Sequence, residues 1–578
     1  MTQKYLVKVC VNFLESKVKQ MLYLIIELVL FVVLSSYFVV IYKKEKCDKL
    51  FKILYILFWT IIFFNSFVFE KNFFIFDMNS YKWKIYFFLK LSFLIFIVLA
   101  AKYFYDLSLQ IVKRNITKIH LSIVSLIYFT FCMIMLIFYY PGSWKWDEIW
   151  ILYALDNFVI GTSQHFLTSV LYTWGIMIFG SPVGIIILIN ALISIFLGYC
   201  ASEIRVIYKT NKSMIIFIIP FMILPPVIDN NMYPLRHSLY AYLCMLLFLL
   251  PIIDIMKKRN RKLKIFTIRK IIGYIVLITL VSVWRNEGIY YIVFPIVLLI
   301  FFRHYITPKK KLVLLLCPII CAFCVSTCQQ RLSNTWNPDR NTIIVTLNLF
   351  YDLMESGQLT QHEINDINKV LDVKKLKEEG VNSVWNGLIK DGKYSPEEFS
   401  QLKKIYILNV LKHPLKLAKI QWPIFKRSNG NIKFFSEAVF GDVNIYNEEF
   451  LKTERGKNYI EFLNYPGIRV ISENFRDLYR KFILLLKDTT SGEVSNLHRI
   501  VYSCYFSIIV TVIYAFVLLI KKETDLFVFV IFSLGRLPIV FFTSPDSAFM
   551  YYYPNYIIGI VVTILILNNL FQKSKVTK

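Results

Sequence analysis

Charge is scarce in this 578-residue chain, where 18% of residues are Asp, Glu, Lys or Arg, against about 25% in soluble domains. Apolar residues fill the gap at 57%, with 17% aromatic; soluble domains run at about 45–50% apolar. A mean hydropathy of +0.55 over this length excludes a soluble globular enzyme and any disordered or fibrous class. The usual signatures of nucleotide and cofactor chemistry are missing too. There is no Walker phosphate loop, no GxGxxG behind a strand, no HExxH pair and no GxSxG elbow. Nucleotide-driven transport and Rossmann-type cofactor use thereby lose their usual support. The seven histidines are scattered and give no metal-ligand spacing, and no internal repeat or low-complexity tract is present.

Acids are the rarer sign: 38 against 66 Lys and Arg, a net charge of +28. In a soluble protein this excess would point to nucleic acid. Here the basic residues sit in the short segments 43–52, 113–118, 257–270, 303–311, 521–522 and 573–578 beside apolar runs. Cytoplasmic loops of membrane proteins carry such an excess, so topology accounts for the basicity and nucleic acid is not an expected partner. Cysteine is missing from 329–497 although the chain has ten, which excludes a disulfide framework there.

What is present is a series of apolar runs close to 20 residues, each able to cross a hydrocarbon core of about 30 Å as a helix. Spans are expected near 21–42, 51–68, 85–105, 117–140, 182–202, 213–228, 238–256, 271–284, 288–303, 312–328, 498–520, 525–543 and 551–570. The first is too long for a signal-peptide core and no A-x-A-like site follows it, so it reads as an anchor. The positive-inside rule puts 203–213, 257–270, 304–311, 521–524 and 571–578 inside, and 141–181, 229–237, 285–287, 329–497 and 544–550 outside. The even number of spans before residue 141 sends the Lys-bearing N-terminus outside, unless one early run lies in the interface. The apolar stretch 166–180 is short for a crossing and reads as a juxtamembrane helix on the outer face.

Three regions follow: an N-terminal transmembrane region 1–328 with the outer loop 141–181, an extracytoplasmic domain 329–497, and C-terminal transmembrane helices 498–578. The middle region carries two capping-box signatures, Thr360…Glu363 and Ser395…Glu398, the second with Pro396 at the first helical position. Phe399, Leu402, Tyr406 and Val410 recur at helical spacing. A mainly helical domain is expected. Cys317, Cys321, Cys324 and Cys328 share one helical stripe. The stripe reads either as a metal site or as small, soft residues that let two membrane helices approach closely. No His or acid joins it, which favours packing. Glu27 and Lys90 stand inside apolar runs, where a mutual pair or snorkelling by Lys90 is expected.

The richest polar cluster is Tyr140-Pro-Gly-Ser-Trp-Lys-Trp-Asp147-Glu148, followed by Asp156 and Gln164-His165. Tandem acids beside aromatic rings suit sugar chemistry, since a carboxylate can deprotonate an acceptor hydroxyl and aromatic faces stack on sugar rings. The competing reading makes Trp144, Trp146 and Trp150 an interfacial belt and the acids a solvated loop. Two short outer loops hold Asp229…Arg236-His237 and Trp284-Arg285-Asn-Glu287-Gly288. Arg236 and Arg285 suit bidentate phosphate binding, or snorkel from helix ends. The loop Thr543-Ser-Pro545-Asp546-Ser leads into the aromatic run Tyr551–Tyr556, which lines a groove or forms a belt.

The order of these features resembles bacterial GT-C-type membrane glycosyltransferases. It runs from an outer Pro-Gly loop with an acid, through a polar-His step and a surface helix ending in Gly-Ser, to an Arg-Asn-x-Gly at a later helix start. The resemblance covers roughly 137–305 and the last spans. It implies an all-α, GT-C-like bundle of about 12–13 transmembrane helices and transfer of a sugar from a polyprenyl-phosphate donor to an envelope glycan outside the membrane. It places the catalytic acid at Asp147, with Glu148 beside it, and assigns His165, Arg236, His237, Arg285 and Glu287 to donor-phosphate or substrate binding. Some relatives hold a divalent cation through such acids and others do not. Phe166 replaces the Pro of the His-Pro step, Glu287 replaces an Asn, Arg236-His237 stands where some relatives have Lys-Asp, and Met550-Tyr551 stands for Arg-Tyr. Two other readings remain: an O-antigen-type polysaccharide polymerase or ligase working through outer-loop Arg and His, and a flippase of lipid-linked glycans. A scaffold in an envelope complex is the plainest alternative.

Overall fold

In the computed structural model the described residues are 49–74, 81–161, 164–260, 267–332, 339–381, 387–430, 456–457, 461–462, 464–465, 467–488, 493–544 and 548–576. They are overwhelmingly helical. Leu486–Asp488 and Glu493–Val494 pair as a small antiparallel ribbon. Eight helices are long and apolar enough to cross a membrane: Lys82–Val112, Ile116–Phe138, Val183–Tyr208, Arg236–Arg259, Pro308–Leu332, Asn496–Ile520, Thr524–Thr543 and Tyr553–Gln572. In lipid a helix satisfies its own backbone polar groups, and the long apolar runs accordingly form helices. The chain is an all-α, multi-pass membrane protein.

Several expected spans take a different form, for reasons that lie in single residues. The run near 213–228 breaks into Asn211–Ile223 and Pro225–Asn231, bent by 71°. Leu224 before the double proline is extended, as a residue preceding Pro prefers to be. The run near 288–303 opens as a 3-10 helix, Asn286–Val293, before the α-helix Phe294–Phe302. Ile268–Val283 has 16 residues, about 24 Å of helix, and is shorter than each of the eight. The expected anchor 21–42 and Glu27 lie outside the described residues.

Two compact units can be separated. One comprises 1–198, 232–235 and 438–473, the other 199–231, 236–437 and 474–578. In the first, Phe166–Phe179 is the short helix expected from its length, closed by Gly180 in a left-handed conformation that glycine adopts without a Cβ penalty. Its Gly175 lies against the start of Val183–Tyr208, where a Cβ would come within 2.6 Å of Ile185 Cα. Lys90 is 1% exposed and takes Glu70 as its ion partner. It also donates to Ser66 Oγ at 2.6 Å, while Tyr86 OH donates to Glu70 Oε2 at 2.8 Å. Lys90 therefore does not snorkel.

In the second unit, Asp339–Glu355, Gln361–Val370, Val373–Glu379, Pro396–Lys412 and Pro414–Ser428 enclose one apolar core that includes Leu347, Phe350, Ile367, Leu376, Leu402 and Leu417. Both expected capping boxes form. Thr360 N donates to Glu363 Oε2 at 2.9 Å, and Thr360 Oγ1 receives from Glu363 N; Ser395 and Glu398 repeat the exchange. Phe399 and Leu402 are buried, and Tyr406 and Val410 pack at the edge. The cysteine stripe behaves otherwise. Cys321, Cys324 and Cys328 are exposed, because Pro308–Leu332 buries the stripe Leu314, Pro318 and Ala322 instead.

Candidate functional site

The segment ahead of helix Trp146–Asp156 is a built structure. Gly142, at φ +95°, turns the chain where a Cβ would meet Ile186 and the Met232 carbonyl. Ser143 N donates to Met232 O at 2.9 Å. Trp144 is fully buried: its Nε1 donates to Pro141 O at 3.0 Å, and its ring lies 4.9 Å from Phe462. Trp144 is thus a core residue rather than part of an interfacial belt. Helix Trp146–Asp156 starts here with both acids in its first turn, where the helix dipole favours negative charge.

The two acids have different environments. Asp147 is exposed. Glu148 is 1% exposed; its Oε2 accepts from Lys145 N at 3.0 Å, and its Oε1 is buried with no hydrogen-bond partner. Burial, and secondarily the neighbouring Asp147, push the Glu148 carboxyl up to about 7. Asp156, at the far end, accepts from Tyr465 OH at 3.1 Å; burial and Asp156 together push that phenol well above its ordinary value. His165 caps the helix Phe166–Phe179, its Nδ1 accepting from Leu167 N at 3.3 Å.

The other residues singled out from the sequence belong to the second unit. Arg285 Nε donates to Glu287 Oε1 at 2.5 Å. Arg536, 0% exposed, donates from Nη2 to the same oxygen at 2.7 Å and from Nη1 to Tyr551 O at 3.0 Å and Asn555 Oδ1 at 3.2 Å. Its Nε has no partner. The Arg285 guanidinium lies 5.8 Å from the Tyr240 ring and 5.3 Å from Tyr551, and that of Arg536 lies 5.9 Å from Tyr240. Two buried cations thus share one anion, and the surplus positive charge suits an incoming anion.

Around this cluster, Arg236 Nη1 donates to Trp284 O at 2.7 Å. His237 Nε2 pairs with Asn230 Oδ1 at 2.8 Å, and Asn230 Nδ2 donates to Pro226 O at 2.6 Å. Arg236 thus ties the start of its helix to the end of Ile268–Val283, and His237 ties it to Pro225–Asn231. No known family model, curated protein or solved structure matches the chain. The structure brings Arg285 and Glu287 into one cluster with Arg536; Asp147 and Glu148 stand in the first turn of Trp146–Asp156, and His165 caps Phe166–Phe179. Sequence reasoning missed Arg536 because it sits inside the run 525–543. An ionisable residue at such a position was itself the available signal. Among the described residues no three His, Cys, Asp or Glu side chains gather as a metal site.

Proposed function

We propose that the chain is a GT-C-type membrane glycosyltransferase that moves a sugar from a polyprenyl-phosphate-linked donor to a cell-envelope glycan on the outer face. The observation that carries this reading is the Arg285–Glu287–Arg536 cluster. It is buried, net positive and flanked by tyrosine rings, a chemistry suited to the phosphate of a lipid-linked donor. Arg536 donates to the carbonyl of Tyr551, beside the Met550-Tyr551 step where the resemblance has Arg-Tyr. In this reading Asp147 takes the proton from the acceptor hydroxyl, whose oxygen bonds to the anomeric carbon. The bond from that carbon to the donor phosphate breaks, and the departing phosphate keeps the electron pair. The reading includes a bundle of about 12–13 crossings with 329–497 outside. The bent pair 211–231 and the shorter helices at 55–70, 268–283 and 286–302 then count as spans.

The test is glycan composition in cells carrying each variant at equal protein level. Asp147→Asn is expected to abolish sugar addition, since general-base catalysis contributes about 10²–10⁴-fold and Asn cannot take the proton. Asp156→Asn is expected to be mild, because Asn keeps an acceptor for Tyr465. A second reading, the polysaccharide polymerase or ligase, is favoured by one observation: Arg236, His237, Arg285 and Arg536 all lie in one compact unit. Normal glycan with Asp147→Asn but none with Arg285→Gln would select it and remove the transferase mechanism.

A further inference from the structure

Helices Pro396–Lys412 and Pro414–Ser428 are built to cover the apolar core beneath them, yet they also present apolar residues outward. Ile407, Leu408, Leu411, Leu415 and Trp422 are exposed at 56, 43, 71, 77 and 49%. Ile407, Leu408 and Leu411 share one face of the first helix, and Leu415 and Trp422, seven residues apart, share one face of the second. Leu402, Ile405 and Leu417 point the other way, into the core. Lysines flank the exposed stripe: Lys403, Lys404, Lys412 and Lys419 are exposed, and Lys426 Nζ lies 6.0 Å from the Trp422 ring. Acids are confined to the first turn, at Glu397 and Glu398.

The position of this helix pair is fixed by its C-terminal end. Phe425 packs 5.5 Å from Tyr505, 5.6 Å from Phe541 and 5.1 Å from Tyr552. Those residues lie at the start of Tyr505–Ile520, the end of Arg536–Thr543 and the threshold of Tyr553–Val576. Asn429 Oδ1 accepts from Cys504 N at 2.9 Å. Phe425 therefore lies beside the ends of three apolar helices, and such ends stand near the surface of a bilayer that the helices cross.

We propose that the helix pair 396–428 is an interfacial membrane-binding element, with Leu411, Leu415 and Trp422 seated among the headgroups and the lysines against anionic lipid phosphates. An amphipathic helix with Lys on its flanks and Leu and Trp on its apolar face binds an anionic interface in this way, and Trp prefers that depth. The occupant of the exposed face is thus a lipid surface.

The test uses the full-length protein in vesicles of phosphatidylcholine and phosphatidylglycerol. The photoreactive residue benzoylphenylalanine is placed singly at 411, 415 or 422, or at the exposed Lys374 as control, and adducts are read by mass spectrometry. Lipid adducts at the first three positions, severalfold above position 374 and reduced severalfold by Lys412→Glu/Lys419→Glu, are the expected result. Adducts to protein at these positions would put a second copy or a partner on the face and overturn the proposal. Lipid adducts no more frequent than at 374, or indifferent to the charge reversal, would also overturn it.

Discussion

A carboxylic acid buried beside a second acid carries a pH dependence with a definite sign. Glu148 binds its proton up to about pH 7 in the folded chain, against an ordinary value of 4.5. Between those two pH values the folded state holds the proton and the unfolded state does not, so stability falls as pH rises through this window. The size is about 3 kcal/mol, since each tenfold gain in proton affinity is worth about 1.4 kcal/mol. Glu148→Gln keeps an oxygen for the Lys145 amide and removes the charge. Its Tm in detergent is expected to exceed the parent's above pH 7 and to vary little between pH 4.5 and 7; a profile parallel to the parent's would refute this. The pairing of Asp147 with Glu148 was legible in the sequence, but their difference was not. Adjacent helical positions face about 100° apart, and which of them meets the core depends on Trp144 and its distant neighbour Phe462.

Helices were the most legible elements, and their ends more so than their packing. The capping boxes at Thr360 and Ser395 need only local residues, and they form as read. The breaks at Leu224 and at residues 286–293 also follow from local proline and glycine chemistry, but an apolar run conceals them when it is judged by hydropathy alone. Close approach between helices is harder to read, because it depends on which turn of one helix meets which turn of another. Gly175 is the case in point: Phe166–Phe179 and Val183–Tyr208 can touch there only without a side chain. Gly175→Val is expected to lower Tm in detergent by the equivalent of at least about 1–3 kcal/mol, the usual cost of overpacking. Gly273, in Ile268–Val283, has open space around its Cβ position. Gly273→Ala should therefore leave Tm unchanged or raise it, since Ala gains about 1 kcal/mol over Gly in a helix. Equal losses in both variants would show that the Gly175 contact does not limit stability.

The membrane class of the molecule is contained in its composition, whereas its cationic cluster depends on residues 249 positions apart in the chain, Glu287 and Arg536. No local spacing rule reaches across that distance, and Arg536 was hidden because its run still passes as a span. Orientation lies between these extremes, since it rests on where short basic loops fall. One comparison tests it without reference to the early spans. Between Lys374, 84% exposed in the helix Val373–Glu379, and Lys521, exposed at the end of Tyr505–Ile520, the described residues hold one helix long and apolar enough to cross, Asn496–Ile520. Lys521-Lys522 is a short basic loop, which the positive-inside rule sends to the cytoplasm. Lys374→Cys should then react with a membrane-impermeant thiol reagent in intact cells above the parent chain's own labelling, and Lys521→Cys should react only after the membrane is opened. The reverse order would turn the molecule over, putting 329–497 and the Asp147 loop on the cytoplasmic side. It would thereby remove transfer to an outer glycan while leaving the fold untouched. Equal labelling of both in intact cells would mean that 496–520 does not cross.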